Sequence, residues 1–405
     1  MSSYILGCSQ LADDRAAASE AVSALVGGLA ARRATVVFAF ATDGRDLGVV
    51  REAVVATLGD VPVVGCSAPA LFVNDAILRD GVSMMAVVDA GLAVRAAVAD
   101  GVATASRSAG EAVTEAVLEA LEATGGASSG SQAAMLLLSD GILGNSVEVA
   151  RGVVEVTGRV LRMFGGGTGD DFKFAETFQL GPDGVHQGSV LAVGLSADAP
   201  IGVALRHGCT PWGPPMQATD AGDRAVRTLD FLPAFPRYQA TVCELGDTPP
   251  TPEGFMAYAM LHPLGIVQGQ DDHILRSPLA VSEDGGLVCC SDIPSHALVR
   301  LMRGTEGSLV DAAAEAASAA KAQLGSTPAG AALVFACISR DVVLDARDGT
   351  LSRELAGVRR GLADDIPLFG CMTFGGFGAL SSGLGQYHSK SVNVCVLPAS
   401  GGLDA

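Results

Sequence analysis

Residues 61–70 read VPVVGCSAPA, and this stretch contains a phrase that the chain repeats. Its valines lead directly into Gly65. A glycine after an apolar run is typical of a sharp turn, because the backbone there needs freedom that a Cβ would deny. The same phrase returns as RMFGGGTG at 162–169 and as IPLFGCMT at 366–373. The three copies predict one structural unit that is built three times.

The three copies share their surroundings as well. In each copy an apolar run leads into a one-sided helical pattern, the glycine phrase follows, and another apolar run closes the unit. Apolar runs without alternation are typical of strands that helices cover on both faces, and a strand–helix–strand succession predicts a right-handed parallel crossover. We therefore expect an α/β fold of repeated strand–helix–strand units, which form mixed, largely parallel sheets flanked by helices in two fused domains.

Two of the helices have clear ends in the sequence. The helix of the first unit is expected over about residues 46–59, where Val50, Val54 and Leu58 recur at four-residue spacing. In the second unit, Asn145 or the residue after it is the expected cap, since asparagine and serine side chains accept hydrogen bonds from the first free N–H groups of a helix.

Prolines gather between about residues 198 and 252 and interrupt the repeated pattern. Proline has no backbone N–H and resists both helix interiors and sheet ladders, so we expect neither long helices nor central strands in this interval. We place the junction of two domains within it. The N-terminal domain spans residues 1–215 and holds two glycine phrases, and the C-terminal domain spans residues 216–405 and holds the third.

The composition limits the classes of partner. The 405 residues carry a formal net charge of −18 and no cluster of Lys and Arg, so binding to nucleic acids or to anionic membranes is disfavoured. The sequence shows neither a signal peptide nor an apolar run of the roughly 18 residues that cross a membrane, which predicts a cytoplasmic protein. Nine cysteines without a CxxC pair are expected to be reduced and mostly buried.

The glycine phrases also indicate a ligand site. In open α/β sheets ligands bind beyond the carboxyl ends of the strands, where a glycine turn lets the backbone approach a ligand and offer its N–H groups. Three such turns on one rim would form one or two pockets for a carboxylate or a similar anion. The candidate ligand contacts are Cys66, Ser67, Gly166, Gly167, Thr168, Asp170, Asp171, Thr373 and His388, with Arg276 and Arg340 as candidate partners of the anion.

A structural alternative exists for these residues. A glycine after a strand can simply make room for a neighbouring helix or strand, and one of Asp170 and Asp171 can cap its own turn. If an aspartate faces the ligand instead, it would bind an ammonium group or a metal ion. The sequence leaves the question of a metal open.

Signs of catalysis are few. The sequence contains no GxSxG nucleophile elbow and no HExxH zinc motif. Cys66 or Cys371 could serve as a nucleophile with His388 nearby, but nothing in the sequence indicates an activated thiol, and buried inert cysteines are common. We therefore expect no enzyme activity and keep a cysteine-dependent enzyme as an alternative.

Longer motifs resemble one known family. Residues 165–195, GGGTGDDFKFAETFQLGPDGVHQGSVLAVGL, resemble the middle of FIST-domain proteins, with their glycine run, Gly-Asp-Asp, Thr-Phe-Gln and closing strand. IGVALRHGCTPWGPP at 201–215, ALVFACISR at 332–340 and IPLFGCMTFGGFG at 366–378 follow in the order of the family. The resemblance covers nearly the whole chain. It implies a FIST N region followed by a FIST C region, as in free-standing bacterial sensory proteins.

Two positions depart from the family pattern. Gly376 stands where the family often has a glutamate, and Ser389-Lys390-Ser391 follows His388 where the family has asparagine-x-threonine. If that glutamate contacts a ligand in relatives, this chain binds a different ligand or binds it differently.

The resemblance implies a sensory module in signal transduction. Amino acids or small carboxylates are the suggested ligands, and a histidine kinase or a cyclic-dinucleotide signalling protein is the kind of separate partner that would read the signal. One bacterial branch is described as haem proteins that sense nitric oxide and regulate a histidine kinase. Because this chain has no CxxCH motif, such a haem would be noncovalent. A small-ligand sensor is our first expectation, and a haem sensor, a protein-interaction scaffold and a cysteine-dependent enzyme are the alternatives.

Overall fold

Strands and helices alternate along most of the chain. The computed structural model describes residues 3–88, 91–126, 130–158, 161–269, 272–345, 352–380 and 383–399. The strands of the first half are β1 (Tyr4–Ser9), β2 (Val36–Thr42), β3 (Val63–Ala68), β4 (Leu71–Val73), β5 (Ala76–Leu78), β6 (Val82–Val87), β7 (Leu92–Asp100), β8 (Ala133–Asp140), β9 (Arg162–Thr168), β10 (Gln179–Leu180), β11 (Val185–His186) and β12 (Ser189–Ala197). The strands of the second half are β13 (Gly202–Arg206), β14 (Thr210–Gly222), β15 (Ala225–Leu229), β16 (Leu232–Pro233), β17 (Leu264–Gln268), β18 (Asp272–Arg276), β19 (Pro278–Val281), β20 (Leu287–Cys289), β21 (Leu298–Arg303), β22 (Ala329–Cys337), β23 (Leu368–Gly378), β24 (Gln386–His388) and β25 (Val392–Pro398).

The helices lie between these strands. Their bounds are α1 (Asp14–Leu29), α2 (Leu47–Leu58), α3 (Val102–Glu122), α4 (Ser146–Thr157), α5 (Ala234–Glu244), α6 (Phe255–Leu261), α7 (Glu306–Ala322), α8 (Ile338–Asp345) and α9 (Ser352–Leu362). Asp46 caps α2 and Asn145 caps α4 through side-chain hydrogen bonds to backbone N–H groups, which confirms the predicted starts. None of the described helices is both long and apolar enough to cross a membrane.

Three units repeat one topology. Each unit has four strands, in the spatial order β1-β6-β2-β3, β7-β12-β8-β9 or β13-β25-β22-β23. The last two strands of each order are parallel, and α2, α4 or the pair α8 and α9 connects them. The predicted threefold repeat is therefore confirmed.

The sheets are mostly antiparallel, so the prediction of largely parallel sheets was wrong. Only three of the described strand pairings are parallel, one in each unit. The strand that closes each unit turns back and pairs antiparallel with the first strand of the parallel pair, in β2–β6, β8–β12 and β22–β25. Such a return needs no helical crossover, and an apolar run does not reveal its own direction. The fold is a mixed α/β arrangement of three sheets.

The glycine of each repeated phrase lies inside the second parallel strand of its unit and not in a turn. A Cβ added at Gly65 would overlap the carbonyl oxygen of Ala39, and one added at Gly370 would overlap that of Val334. Gly165 stands in the same relation to the neighbouring strand of the second unit. The glycine therefore makes room for the adjacent strand, which is the structural alternative that the sequence left open.

The second and third units share an eleven-stranded sheet, which we call the central sheet. They join where β9 pairs antiparallel with the end of β23, with Gly167 opposite Phe374. The first unit extends through β10 and β11 into a six-stranded sheet. The two sheets share an apolar core in which the rings of Phe40 and Phe369 stack with centroids 5.0 Å apart.

The third unit carries an insertion between β13 and α7. The insertion forms an eight-stranded sheet in the order β18-β17-β21-β14-β15-β20-β19, with β16 paired to β15, and we call it the inserted sheet. The expectation of no central strand in the proline-rich interval was wrong, because β14 lies between β15 and β21. The register of β14 breaks between Pro211 and Pro215, where proline has no N–H for the ladder. The predicted domain boundary after residue 215 falls inside β14, and the division into two domains stays a prediction.

Replacing Gly370 by alanine should lower the free energy of unfolding by roughly 2 kcal/mol or more, because the new Cβ would force β22 and β23 apart. Gly307→Ala is the matched control, since this glycine lies in α7 of the same unit with open space around a new Cβ. Alanine is the better helix former, so the control should gain up to about 1 kcal/mol. Urea unfolding measures both variants, and equal midpoints would contradict the role of Gly370.

Candidate functional site

Two parallel strand pairs end at one place in the central sheet. β8 ends at Asp140 beside Thr168 of β9, and β22 ends at Cys337 beside Thr373 of β23. Because β9 and β23 pair antiparallel around Phe374, these carboxyl ends meet. Strand ends of this kind are where open α/β sheets bind ligands, and a cavity lies there.

The cavity at this junction, which we call the rim pocket, has a volume of about 340 Å³. One side belongs to the central sheet and to the segments that follow its strands, and the other side belongs to the inserted sheet and α6. Its lining residues are Gly141, Ile142, Phe172, Phe174, Arg224, Met260, Ser277, Leu279, Val288, Cys289, Cys290, Cys337, Ile338, Ser339, Phe374, Gly375, Tyr387 and Ser389. This described lining contains no acidic side chain.

Three phenylalanines form an apolar wall of the rim pocket. Phe172 and Phe174 lie in residues 170–175, which we call the aromatic loop, and the ring of Phe174 lies 5.3 Å from that of Phe374. Both loop phenylalanines have left-handed backbones, with φ of 57° and 51°, which residues other than glycine rarely adopt. Asp170 holds this shape, because its carboxylate accepts hydrogen bonds from the N–H of Phe174 at 2.9 Å and of Ala175 at 2.7 Å.

Another wall of the pocket carries sulfur and hydroxyl groups. The Cys290 Sγ lies 2.9 Å from the Ser389 Oγ and 3.5 Å from the Ser291 Oγ, and it accepts a hydrogen bond from the N–H of Ser277 at 3.4 Å. The Ser277 hydroxyl is buried and has no hydrogen-bond partner among the described residues. Since buried polar atoms are rarely left unpaired, a polar group of a ligand is a natural partner for this hydroxyl.

Two buried cations adjoin this polar wall. Lys390 is 1% exposed, and its Nζ lies 3.6 Å from the Sδ of Met260, while Arg276 donates to backbone carbonyl oxygens. Within the described ranges no carboxylate lies at ion-pair distance from either cation. Burial lowers the pKa of both Lys390 and Arg276, and neighbouring thiols oppose that shift. Two basic side chains are thus buried together in a protein of net charge −18.

The predicted contacts of the first unit lie in the core. Cys66 is fully buried, and the Ser67 Oγ accepts a hydrogen bond from the N–H of Phe178 at 2.9 Å. Burial, and then the neighbouring Cys66, raise the pKa of the Cys371 thiol well above its ordinary value. A buried thiol of this kind is unreactive, so the structure does not support Cys371 as a nucleophile.

The predicted contacts at the junction of β9 and β23 serve the packing of these strands. Gly166, Gly167, Thr168 and Thr373 are all buried there. No Cβ fits at either glycine, because the backbone of β23 lies against them. The Thr168 hydroxyl donates to a backbone carbonyl of β8 at 3.1 Å and accepts from a buried glutamine amide at 2.7 Å. These groups already have partners within the protein.

The charged residues among the predicted contacts also have structural partners. Asp170 caps the aromatic loop, as the structural alternative states, and Asp171 is exposed. Arg340 forms a fully buried ion pair with Glu354 at 2.7 Å and donates to three backbone carbonyl oxygens, including that of Lys390 at 3.0 Å. Arg340 therefore joins segments of the fold and is not free to receive an anion.

His388 lies beside the rim pocket without lining it. Its imidazole is buried. Burial, and then the charge of Arg276, lower the pKa of His388 to about 3, so the ring is neutral at physiological pH.

None of the predicted contacts lines the rim pocket, yet several of them adjoin it. Side chains alternate along an extended chain, so the neighbour of a predicted residue often faces the cavity instead. The lining residues that directly precede or follow a predicted contact in the sequence are Phe172, Ser277, Ser339, Phe374 and Ser389. Cys290 and Cys337 were missed altogether. The repeat could have indicated Cys337, because it ends the same strand of the third unit that Asp140 ends in the second.

The lining limits the cofactors that the site can hold. In the described ranges no group of three or more His, Cys, Asp or Glu side chains forms a metal site. A haem in the rim pocket would need an axial ligand from the lining, which contains no histidine, and the Tyr387 hydroxyl donates to the carbonyl oxygen of Phe374. A haem held by histidine therefore does not fit this pocket.

Two family models match the chain. One, described as the FIST N domain, matches residues 35–231, and the other, described as the FIST C domain, matches residues 234–379. None of the curated proteins matches the chain.

Several solved structures show a distant likeness to this chain. A cyanuric acid hydrolase from A. caulinodans is 11% identical with a TM-score of 0.37, over 98% of this chain and 99% of that one. A chorismatase is 10% identical with a TM-score of 0.39, over the same shares of the two chains. A further cyanuric acid hydrolase is 12% identical with a TM-score of 0.36, over 99% of this chain and 100% of that one. No functional conclusion follows from likenesses of this size.

Asp170→Ala should open the aromatic loop, because it removes the acceptor of two backbone hydrogen bonds that hold Phe174 in a strained conformation. Hydrogen exchange at the amides of Phe174 and Ala175 should become faster by about tenfold or more. Asp171→Ala is the matched control, since Asp171 is exposed and adjacent. Equal exchange in the two variants would contradict the capping role.

Arg340→Met should lower the free energy of unfolding by about 3–5 kcal/mol, because it leaves the carboxylate of Glu354 buried without its partner. Arg360→Ala in the neighbouring helix α9 removes an exposed ion pair with Asp311 and should cost at most about 1 kcal/mol. Urea unfolding compares the two variants. Similar losses of unfolding free energy in the two variants would contradict the structural role of the buried ion pair between Arg340 and Glu354.

Proposed function

Because this chain belongs to the FIST family of sensory and signalling domains, we propose that it is a sensor that binds a small molecule in the rim pocket and acts through a separate partner protein. The observation that carries the proposal is the position of the pocket. It lies where the carboxyl ends of two parallel strand pairs meet and where the inserted sheet covers them.

The lining has the composition of a small-molecule site. Such sites are mostly apolar and aromatic, with a few polar groups that fix the orientation of the ligand. The phenylalanines of the rim pocket, together with Ile142, Leu279 and Ile338, supply the apolar surface, and Ser277, Ser339 and the three cysteine thiols supply the polar groups. A ligand with an apolar or aromatic body and one polar end matches this arrangement.

The charges favour a simple carboxylate over an amino acid. Lys390 and Arg276 attract an anion, and the Ser277 hydroxyl can donate to it. The ammonium group of an amino acid would need an acidic partner, but the described lining contains none, and Asp170 is occupied by backbone N–H groups. A buried ammonium without such a partner is costly.

A ligand in this pocket would lie beside the contact between the inserted sheet and the start of α4. Arg224 of the inserted sheet lines the pocket and donates to the carbonyl oxygen of Gly144, which precedes α4. Asp292 accepts hydrogen bonds from the side chain of Asn145 at 2.7 Å and from the N–H of Arg224 at 2.7 Å. These bonds tie the start of α4 to the inserted sheet, so a ligand that shifts one shifts the other. A histidine kinase or a cyclic-dinucleotide signalling protein is the proposed reader of that change.

Leu279→Trp should abolish ligand binding, because the larger side chain fills the rim pocket. A thermal-shift screen of small carboxylates, with benzoate and phenylacetate as the first aromatic members, should find compounds that raise the melting temperature of the wild type by roughly 2 °C or more. The same compounds should leave Leu279→Trp unchanged. Leu298→Trp is the matched control, since Leu298 is an exposed leucine of the inserted sheet, and this variant should respond like the wild type.

Two results would count against the proposal. If no compound stabilises the wild type, the protein-interaction scaffold becomes the better interpretation. If the compounds stabilise Leu279→Trp as much as the wild type, binding occurs elsewhere.

A further inference from the structure

We propose that Cys290 is a reactive thiol that bonds covalently to ligands with a conjugated carbonyl group, and that Ser277 holds the carbonyl oxygen of such a ligand. The proposal rests on the rim pocket being the ligand site. It adds a chemical class of ligand, the conjugated enones, enals and imides, and a covalent step that noncovalent sensing does not require.

Hydrogen-bonding groups surround the Cys290 sulfur. The N–H of Ser277 donates to Sγ at 3.4 Å, and the hydroxyls of Ser389 and Ser291 lie at 2.9 Å and 3.5 Å, where they can donate as well. These contacts hold the sulfur at the wall of the rim pocket, which Cys290 lines.

Two buried basic residues lie near this sulfur. Lys390 and Arg276 are buried without a carboxylate at ion-pair distance among the described residues. Basic groups near the pocket favour the negative charge that grows on the carbonyl oxygen of a ligand during addition.

Cys290 is also the accessible thiol of the pocket. The other lining cysteines, Cys289 and Cys337, are 2% and 5% exposed, whereas Cys290 is half-buried. Burial raises the pKa of Cys289 strongly, which makes that neighbour a poor nucleophile. An electrophile that enters the rim pocket therefore meets Cys290 first.

Ser277 indicates which electrophile fits. Its Oγ is buried in a residue that is 3% exposed, has no hydrogen-bond partner among the described residues and belongs to the pocket lining, directly beside the Cys290 sulfur. When a thiolate adds to the β-carbon of a conjugated carbonyl compound, an S–C bond forms and the π electrons of the alkene move toward the oxygen. The Ser277 hydroxyl can donate to that oxygen as its negative charge grows. The α-carbon then takes a proton from solvent, so the addition needs no oxidant and has no leaving group.

The first test is the rate of alkylation in the folded protein. N-Ethylmaleimide, a small conjugated imide, is added at limiting concentration, and peptide mapping by mass spectrometry follows each cysteine. Cys290 should react about tenfold or more faster than Cys243, which is exposed and lies outside the pocket. In urea the two rates should become equal. A Cys290 rate at or below that of Cys243 in the folded protein would overturn the proposal.

The second test separates the role of Ser277 from general reactivity. Ser277→Ala should slow the reaction of Cys290 with N-ethylmaleimide by about three- to tenfold, as expected for the loss of one hydrogen bond. Iodoacetamide reacts by displacement of iodide and develops no enolate oxygen, so its rate should change by less than about twofold. Ser295→Ala, an exposed serine outside the pocket lining, is the matched control and should alter neither rate. Equal slowing with both reagents, or no slowing with either reagent, would overturn the proposal that Ser277 holds the carbonyl oxygen of the ligand.

The two proposals can fail separately. If benzoate or phenylacetate stabilises the wild type but Cys290 shows no enhanced alkylation, the proposal of a noncovalent sensor is supported and the proposal of a covalent site is contradicted. If Cys290 is fast and Leu279→Trp suppresses its reaction, the covalent site and the pocket are both supported. If Leu279→Trp reacts as fast as the wild type, the electrophile does not bind in the rim pocket and the covalent proposal falls.

Discussion

The close approach of two parallel strands at one glycine is the constraint on which the rest of the structure depends. At Gly65 and Gly370 the space of a Cβ is taken by a carbonyl oxygen of the neighbouring strand. Because the same approach recurs in each unit, the parallel pairs superimpose in register and end at equivalent residues. The antiparallel pairing of β9 with β23 then places two of these ends against each other, and the rim pocket is the space between them.

Buried charged residues are a second constraint on the structure around this junction. Arg340 pairs with Glu354 and also donates hydrogen bonds to the carbonyl oxygens of His207, Leu309 and Lys390, so it connects segments that are distant in sequence. Its charge is satisfied by protein groups. Lys390 differs, because its described surroundings offer a thioether and thiols in place of a carboxylate. A protein tolerates such a buried cation most easily where a counter-charge can arrive or form.

The helix starts and the parallel strand pair of each unit were predictable from the sequence, and the direction of the strand that closes each unit was not. The start of α2 near Asp46 and the cap at Asn145 depend on a few adjacent residues, and both are found as predicted. The apolar run of β6 pairs antiparallel with β2. The same apolar run could form a parallel or an antiparallel strand, because the direction depends on contacts with distant segments. β14 shows a related limit, since its prolines sit at a break in register that the sequence does not display.

A cavity at the strand ends was predictable, and its lining residues were not. Which side chains line the cavity depends on which face of the chain is turned toward it. Arg276 donates to backbone carbonyl oxygens, while the adjacent Ser277 lines the pocket. The sequence does not show which of two neighbouring residues faces the cavity. Asp170 is a different case. A carboxylate in a loop can bind a ligand or accept hydrogen bonds from its own backbone, and the carboxylate of Asp170 accepts from the backbone. Cys290 comes from the inserted sheet, far from the repeated strands in sequence.

The insertion between β13 and α7 has an evolutionary consequence. The repeated strands supply the same scaffold three times, whereas the inserted sheet contributes Ser277, Leu279, Val288, Cys289 and Cys290 to the pocket. In the proposed sensor, the groups that would contact the ligand are thus concentrated in a segment that has its own apolar core. Mutations there would change the proposed specificity without disturbing the glycine contacts that every unit needs. One element can therefore vary while the threefold framework stays constant.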